Sequence, residues 1–427
     1  MKFKTYMLSA IFCFGVLSCE TDFPNVNSPL VEDLVNSPEG LYGLIIGTQY
    51  QYTIGGASGL YTAISASGLT TNELQVLNAG NTEIAALANG GDNVAPTNGV
   101  VTNLWINLNL VRSNGEKLAE NAGVIADIPT AAGVELYGRL FKALAYGTSA
   151  QFFNGFILRT GENQPFVSRM ETLEAAIQEL QIAMQLLEQH GISSVLEQAI
   201  GANIDVENTL RALAARYYLM LGDYGNAFDM ASAVDLTVAS VFVFDEVSPN
   251  PVFRSSLTTN NVYDVNPDFG LSGVLTPDAA DERSAFYLDP QEANGKGFFL
   301  SDATSIPLYL PGEMTLIRAE VYARNGQLPE AIEELNSILT KTQEEDLYGL
   351  GANLPEYSGV NTQEAILEAI YQNRCIELYM SGLKLEDSRR FGRPGPNDAN
   401  AERNRDFYPF PSIERDNNPN TPPDPEL

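Results

Sequence analysis

Apolar residues recur at three- and four-residue intervals over long stretches of this chain, and strictly alternating runs are short. Leu173, Ala176, Ile177, Leu180, Met184 and Leu187 fall on one face of a helical wheel, as do Leu210, Leu213, Ala214, Tyr217 and Leu221. Both stretches are therefore predicted helices with one face in a core. A third helical pattern runs from Gln363 to Arg390. The predicted class is mainly α.

Two distant segments share one spacing. Ala215, Tyr218, Gly222, Ala227 and Ala231 are matched, offset for offset, by Ala319, Tyr322, Gly326, Ala331 and Leu335. The pattern reads as a helix, a tight turn at the glycine, and a second helix whose small residues let the axes approach closely. That is the logic of a tetratricopeptide hairpin. A third copy is interrupted: Ala143 and Tyr146 keep the spacing, Ala150 replaces the turn glycine, and Asn154 to Ser168 is expected to loop out. Helical hairpins are thus predicted at roughly 133–234 and 313–390. Two regions, 50–114 and 240–306, read as irregular: ten asparagines occur from Asn72 to Asn114, and the second region is rich in Pro, Asn, Asp and Thr. Long irregular segments in a compact domain tend to carry function. The proline-rich tail from Asp416 is expected to lie extended.

The amino terminus changes the picture. Lys2 and Lys4 precede an apolar run from Tyr6 to Leu17, shorter than the ~20 residues a spanning helix needs, and Val16-Leu17-Ser18-Cys19 resembles a lipobox. Residues 1–18 read as a lipoprotein signal, Cys19 as the lipidated residue, 19–38 as anchor and linker, and 39–427 as a single domain. Cleavage removes two lysines and no acid, which takes the net charge from −30 to −32. Such a surface repels phosphate backbones, so nucleic acid is excluded as a partner.

Cysteine and histidine are scarce. After Cys13 in the signal and Cys19, only Cys375 remains, in a helical pattern where a buried inert thiol is expected. The single histidine, His190, closes a helix before Gly191. No multi-histidine zinc site, cysteine cluster or GxxxxGK phosphate loop exists, and no cofactor or metal is expected. The alternating oxygens of Asp264, Asn266 and Asp268 suggest part of a calcium loop, but Pro267 interrupts it and the distal glutamate is missing. What survives is carboxylate chemistry or binding without catalysis.

The C-terminal block carries the most specific signal. Arg374, Glu377-Leu378, Gly382, Asp387 and Arg389-Arg390 match the R-x-x-E-L-x-x-x-G-x-x-x-x-D-x-R-R pattern of the SusD/RagB family, and Tyr408-Pro409-Phe410-Pro411, Glu414 and Asn418-Pro419 resemble its closing run. Trp105 through Asn114, Thr209 to Val234, and Leu316-Ile317-Arg318-Ala319-Glu320 are similar to further family segments, in the family's order. Leu385-Glu386 and Asn109 depart from it where aromatics are usual. Within the block, Arg374 and Glu377, and Asp387 and Arg390, lie three apart on a helix and are expected to form structural ion pairs.

The resemblance implies a SusD-like fold and a non-enzymatic surface lipoprotein of the outer membrane in Bacteroidota. It would bind an oligosaccharide, or a peptide as RagB-like proteins do, and deliver it to a SusC-type TonB-dependent barrel. Glycan sites use aromatic faces and amide or carboxylate groups. The irregular regions supply Tyr61, Asn72, Glu73 and Asn78, then Tyr263, Asp264 and Tyr309, as candidate ligand contacts. Trp105 is read as core, given Leu104, Leu108 and Val111 around it. Rival readings are a tetratricopeptide-type protein-interaction scaffold and a surface glycoside hydrolase, which needs only two carboxylates. Among 54 acids, neighbours such as Asp281-Glu282 arise by chance, and Glu282-Arg283 reads as a turn with its own counter-ion.

Overall fold

The computed structural model describes residues 34–258, 261–288 and 296–426. The lipobox and Cys19 lie outside the described residues. Helices α1 (Pro38–Thr53), α2 (Gly59–Thr70), α3 (Thr82–Asn89), α4 (Gly99–Asn121), α5 (Ile128–Phe152), α6 (Arg169–His190), α7 (Ser194–Ile200), α8 (Val206–Leu221) and α9 (Tyr224–Ser232) fill the first half. Helices α10 (Arg283–Leu288), α11 (Pro311–Arg324), α12 (Leu328–Leu339), α13 (Gln363–Glu377), α14 (Lys384–Arg390) and α15 (Ser412–Asn417) follow. Past Asn417 the described tail has no helix or strand and ties back through Asp424, which accepts the Phe410 N–H at 3.0 Å.

Helix starts follow local chemistry. The Asn98 side chain accepts the Val100 and Val101 N–H groups, and Ser168 with Glu171 forms a reciprocal capping box that starts α6 where the periodic face begins. The hairpins form as their spacing predicts: Gly222 and Gly326 close α8 and α11 at φ of 80° and 77°, a region open to glycine at little cost. Ala227, Ala231, Ala331 and Leu335 then face inward, fully buried. Consecutive helices α4, α5, α6, α8, α9 and α11 pack side by side, with α12 and α13 on α11. Gly115 and Gly138 let the α4 and α5 backbones touch; a Cβ at Gly138 would sit 2.7 Å from the Gly115 carbonyl oxygen.

Three two-stranded antiparallel ribbons complete the fold: β1 (Leu74–Val76) with β5 (Tyr263–Val265), β2 (Gly155–Ile157) with β3 (Phe166–Ser168), and β4 (Val241–Phe242) with β6 (Ile306–Pro307). The interrupted third repeat is the β2–β3 ribbon, inserted between α5 and α6. One apolar core runs from Leu41 to Phe410, and a smaller one, around Leu316, Ala331 and Ile370, fills the last hairpins. No described helix is long and apolar enough to cross a membrane.

Two expectations are corrected. Region 50–114 is largely helical, not irregular. Helix α2 is rich in Gly, Ala, Ser and Thr, and all twelve of its residues are buried, so it shows no contrast between faces for a periodicity to reveal. The pattern from Gln363 to Arg390 is two helices, because the chain turns between Leu378 and Leu383 with Met380 at φ 56° and Gly382 at φ 84°.

Candidate functional site

The two asparagine- and aspartate-rich regions meet at the β1–β5 ribbon, where Leu74 pairs Val265, Gln75 pairs Asp264 and Val76 pairs Tyr263. This register places Asn72, Glu73, Asn78, Tyr263 and Asp264 in one neighbourhood, with Tyr61 beneath. Asn72 and Asn78 are exposed and Asp264 is half-buried. Asn78 donates to the Asn261 side chain at 2.9 Å, Asn81 to the Asn261 carbonyl at 2.8 Å, and Asn266 to the Asn72 carbonyl at 3.1 Å. The result is a rim of amide and carboxylate groups able to donate to and accept from hydroxyls. Asp268 accepts the Gly270 N–H, and the described residues hold no cluster of three or more metal-ligating side chains.

The aromatic candidates lie elsewhere than a rim requires. Tyr61 is 5% exposed and Tyr263 0%; their rings stack at 6.2 Å. The Tyr61 hydroxyl meets Ser256 at 2.7 Å and that of Tyr263 meets Ser65 at 3.0 Å, so both fasten α2 to the second region. Tyr309, 3% exposed, is not part of the rim: it walls an internal chamber and donates to the Val238 carbonyl at 3.3 Å. A tyrosine in a polar segment buries its ring where its hydroxyl finds a partner. As placed, these rings present no stacking face to solvent.

Glu73 is also turned inward, at 1% exposure, and neither carboxylate oxygen has a hydrogen-bond partner. Burial pushes its pKa up to about 7, against the opposing pull of the Lys384 ammonium and of the Met380 backbone N–H, which faces it without closing a hydrogen bond. Its backbone carbonyl accepts the Tyr379 hydroxyl at 2.7 Å. The exposed face of the predicted Asn72–Glu73 pair is therefore Asn72 alone.

Sequence reasoning missed the internal chamber. It lies between α2, α5, α8, the segment Phe298–Leu310 and the Leu378–Leu383 turn, with Phe242, Phe298 and Tyr309 among its walls. Arg216 and Glu313 sit in it as a bidentate pair at 2.6 Å and 2.6 Å, so the chamber carries no net charge from them. Its free volume of about 80 Å³, at ~10–15 Å³ per water, holds a handful of waters and not a sugar ring. Also missed was a surface groove of about 590 Å³ lined by Arg324, Glu364, Glu368, Tyr371, Phe391 and Arg393. The matched residues at both places were legible only as helix faces.

The C-terminal motif is structural. Arg374 holds Asp387 at 2.8 and 3.0 Å, Asp387 also holds Arg390 at 2.5 Å, and Arg390 reaches Glu320. Burial favours protonation of Asp387, yet Arg374 and Arg390 keep its pKa below the ordinary value. Glu377 does not pair with Arg374, as helix spacing suggested. It is held by Arg283 at 3.1 Å and Lys341 at 2.9 Å, because its side chain points across the fold. Arg283 in turn takes Asp281, not Glu282, which accepts from Asn353. Cys375 is buried, with burial raising its pKa to about 12.

No family model matches the chain, and no curated protein matches it. Solved structures do. A SusD superfamily protein from Bacteroides thetaiotaomicron is 16% identical at a TM-score of 0.66, over 92% of this chain and 98% of that one. A "putative sugar binding protein" from Bacteroides vulgatus is 15% identical at 0.65, over 90% and 98%. A "SusD-like carbohydrate binding protein" from the same organism is 16% identical at 0.65, over 83% and 84%. Likeness over most of both chains, in a chain built mainly of helices, fixes the class: this chain has the mainly α, SusD-like fold.

Proposed function

We propose that this chain is a SusD/RagB-type nutrient-binding lipoprotein, anchored to the outer membrane through Cys19 and displayed at the cell surface. It captures an oligosaccharide and passes it to a SusC-type TonB-dependent barrel. The observation that carries this reading is the fold likeness, which spans almost all of this chain and of proteins described as sugar- or carbohydrate-binding. The exposed amides of Asn72 and Asn78 and the half-buried carboxylate of Asp264 support a hydroxyl-rich ligand. Tyr61, Glu73 and Tyr263 then serve by holding this region together from beneath, and Tyr309 stands apart from it.

Binding without catalysis is the matching chemical reading. A glycosidase needs two carboxylates facing one bond. Here Asp281, Glu313, Glu377, Glu386 and Asp387 are each buried and engaged by an arginine. A second reading, a peptide ligand, draws support from the groove by Phe391 and Tyr371, where Arg324, Arg393, Glu364 and Glu368 offer both charge signs to a backbone and its termini. Incubating the soluble chain, starting at Glu20, with neutral and acidic oligosaccharides and a peptide mixture tests both. Recovery of bound, uncut oligosaccharide is expected. Release of reducing ends would overturn the non-catalytic reading, and selective retention of peptide would favour the second.

A further inference from the structure

Glu73 is the one buried acid among the described residues whose two carboxylate oxygens both lack a hydrogen bond. It sits where two rim segments are clasped. The Lys384 ammonium donates to the carbonyls of Phe269 at 2.6 Å and Gly270 at 3.2 Å, and the Tyr379 hydroxyl joins the Glu73 carbonyl at 2.7 Å to the Asn266 N–H at 3.0 Å. A Cβ on Gly270 would collide with the Asn72 carbonyl, so the two backbones touch. Three of the five described non-glycine residues with positive φ converge here: Asn72 at 61°, Phe269 at 58° and Met380 at 56°. Such a conformation in a bulky residue like Phe269 is held against its own preference by surrounding contacts.

We propose that the Glu73–Lys384–Tyr379 junction is a proton-gated clasp that holds the segments 72–81 and 261–271 together while Glu73 is neutral and loosens them when Glu73 ionises. An ionised carboxylate is unstable there, because the one backbone N–H that favours it, that of Met380, does not close a hydrogen bond with either oxygen. The carboxylate gains a strong donor if Lys384 leaves the Phe269 and Gly270 carbonyls, or if the Asn72–Glu73 turn lifts into water. Either movement parts the two segments. The other groups facing the carboxylate do not replace Lys384: Asp387 lies on α14, Cys375 on α13, Tyr379 on the turn and Tyr287 on α10. Asp387 is committed to Arg374 and Arg390, Cys375 stays a neutral thiol, and both tyrosines remain neutral because burial raises their pKa. Asp264 and Asp268, on the rim side, face Tyr379 and add negative charge that favours opening.

The clasp is a property of the free protein and does not rest on any ligand. Hydrogen–deuterium exchange of peptides from 72–81 and 261–271, corrected for the intrinsic pH dependence of amide exchange, reads it directly. Closed Glu73 titrates near 7 and an opened one near 4.5, so opening should grow about tenfold per pH unit from ~5 to ~7 and then level off. Peptides from α6 serve as the control and should stay flat. In Glu73→Gln, which cannot ionise, the rim peptides should be flat too. Rim protection in the wild type that does not change between pH 5 and 7 overturns the proposal by itself. A Glu73→Gln profile that still follows the wild type overturns it equally.

Discussion

At the scale of single residues, the proton on Glu73 belongs to the folded state. Its folded pKa of about 7 lies above the ordinary 4.5, so between those values the native chain binds a proton that the unfolded chain has released. Stability therefore falls as pH rises through that window and is unaffected by this group above it. At 1.36 kcal/mol per unit the loss is about 3 kcal/mol. Urea denaturation at pH 5 and pH 7.5, which spans most of that window, should show about 2 kcal/mol of this loss in the wild type and none in Glu73→Gln; the same slope in both would reject it. Trp105 is a different case. Its ring meets Phe153 and Phe156 edge-on at 4.9 Å, stacks on Phe166 at 5.8 Å, and its indole N–H donates to Glu414 at 3.0 Å. Trp105→Ala should cost ~3–5 kcal/mol in the same assay while leaving ligand binding intact. A folded variant that lost binding would move Trp105 into the site. Cys375 and Trp105 were legible from their neighbours alone, whereas the burial of the aromatic candidates was not. Tyr61 and Tyr263 stand in polar segments, and nothing local reveals that Ser256 and Ser65 wait across the fold for their hydroxyls.

At the scale of elements, the turn glycines and the contact glycines do different work. A Cβ at Gly222 or Gly326 meets open space, so alanine there costs only the left-handed conformation, about 1–2 kcal/mol at each site. The two turns share no partners, and the costs should add. Gly138→Ala must instead part α4 from α5, because the new methyl meets the backbone of Gly115 and Ala119. Thermal unfolding should place it clearly below either turn variant. A Gly138→Ala protein as stable as Gly222→Ala would mean that the two helices are free to separate. Hairpins were readable because glycine and alanine mark them at fixed offsets. Helix α2 was not, since burial on every side erases its periodicity. The break at Leu378–Leu383 was hidden by apolar spacing that continues across it; Ser381-Gly382 was the available signal.

At the scale of the whole molecule, sequence alone carried the fold class, because core stripes, repeat spacing and the C-terminal motif all act through packing. The motif charges proved to be buried braces: Arg374, Asp387, Arg390 and Glu320 form one network, Arg283, Glu377 and Lys341 another. The site was less legible. Its two halves are joined by three-residue strands too short to register as a pattern, and their pairing is set by contacts almost two hundred residues apart in sequence. Of the candidate residues at that junction, Asn72, Asn78 and in part Asp264 reach solvent, and no ring does. The proposed nutrient capture accordingly rests on a polar rim. Isothermal titration calorimetry of the soluble chain against neutral and acidic oligosaccharides and a peptide mixture tests it most directly, with an Asn72→Ala, Asn78→Ala double variant alongside. Saturable heat from one oligosaccharide class, lost in the double variant at unchanged stability, is the expected result. Heat from the peptide mixture alone, equal in both proteins, would contradict it.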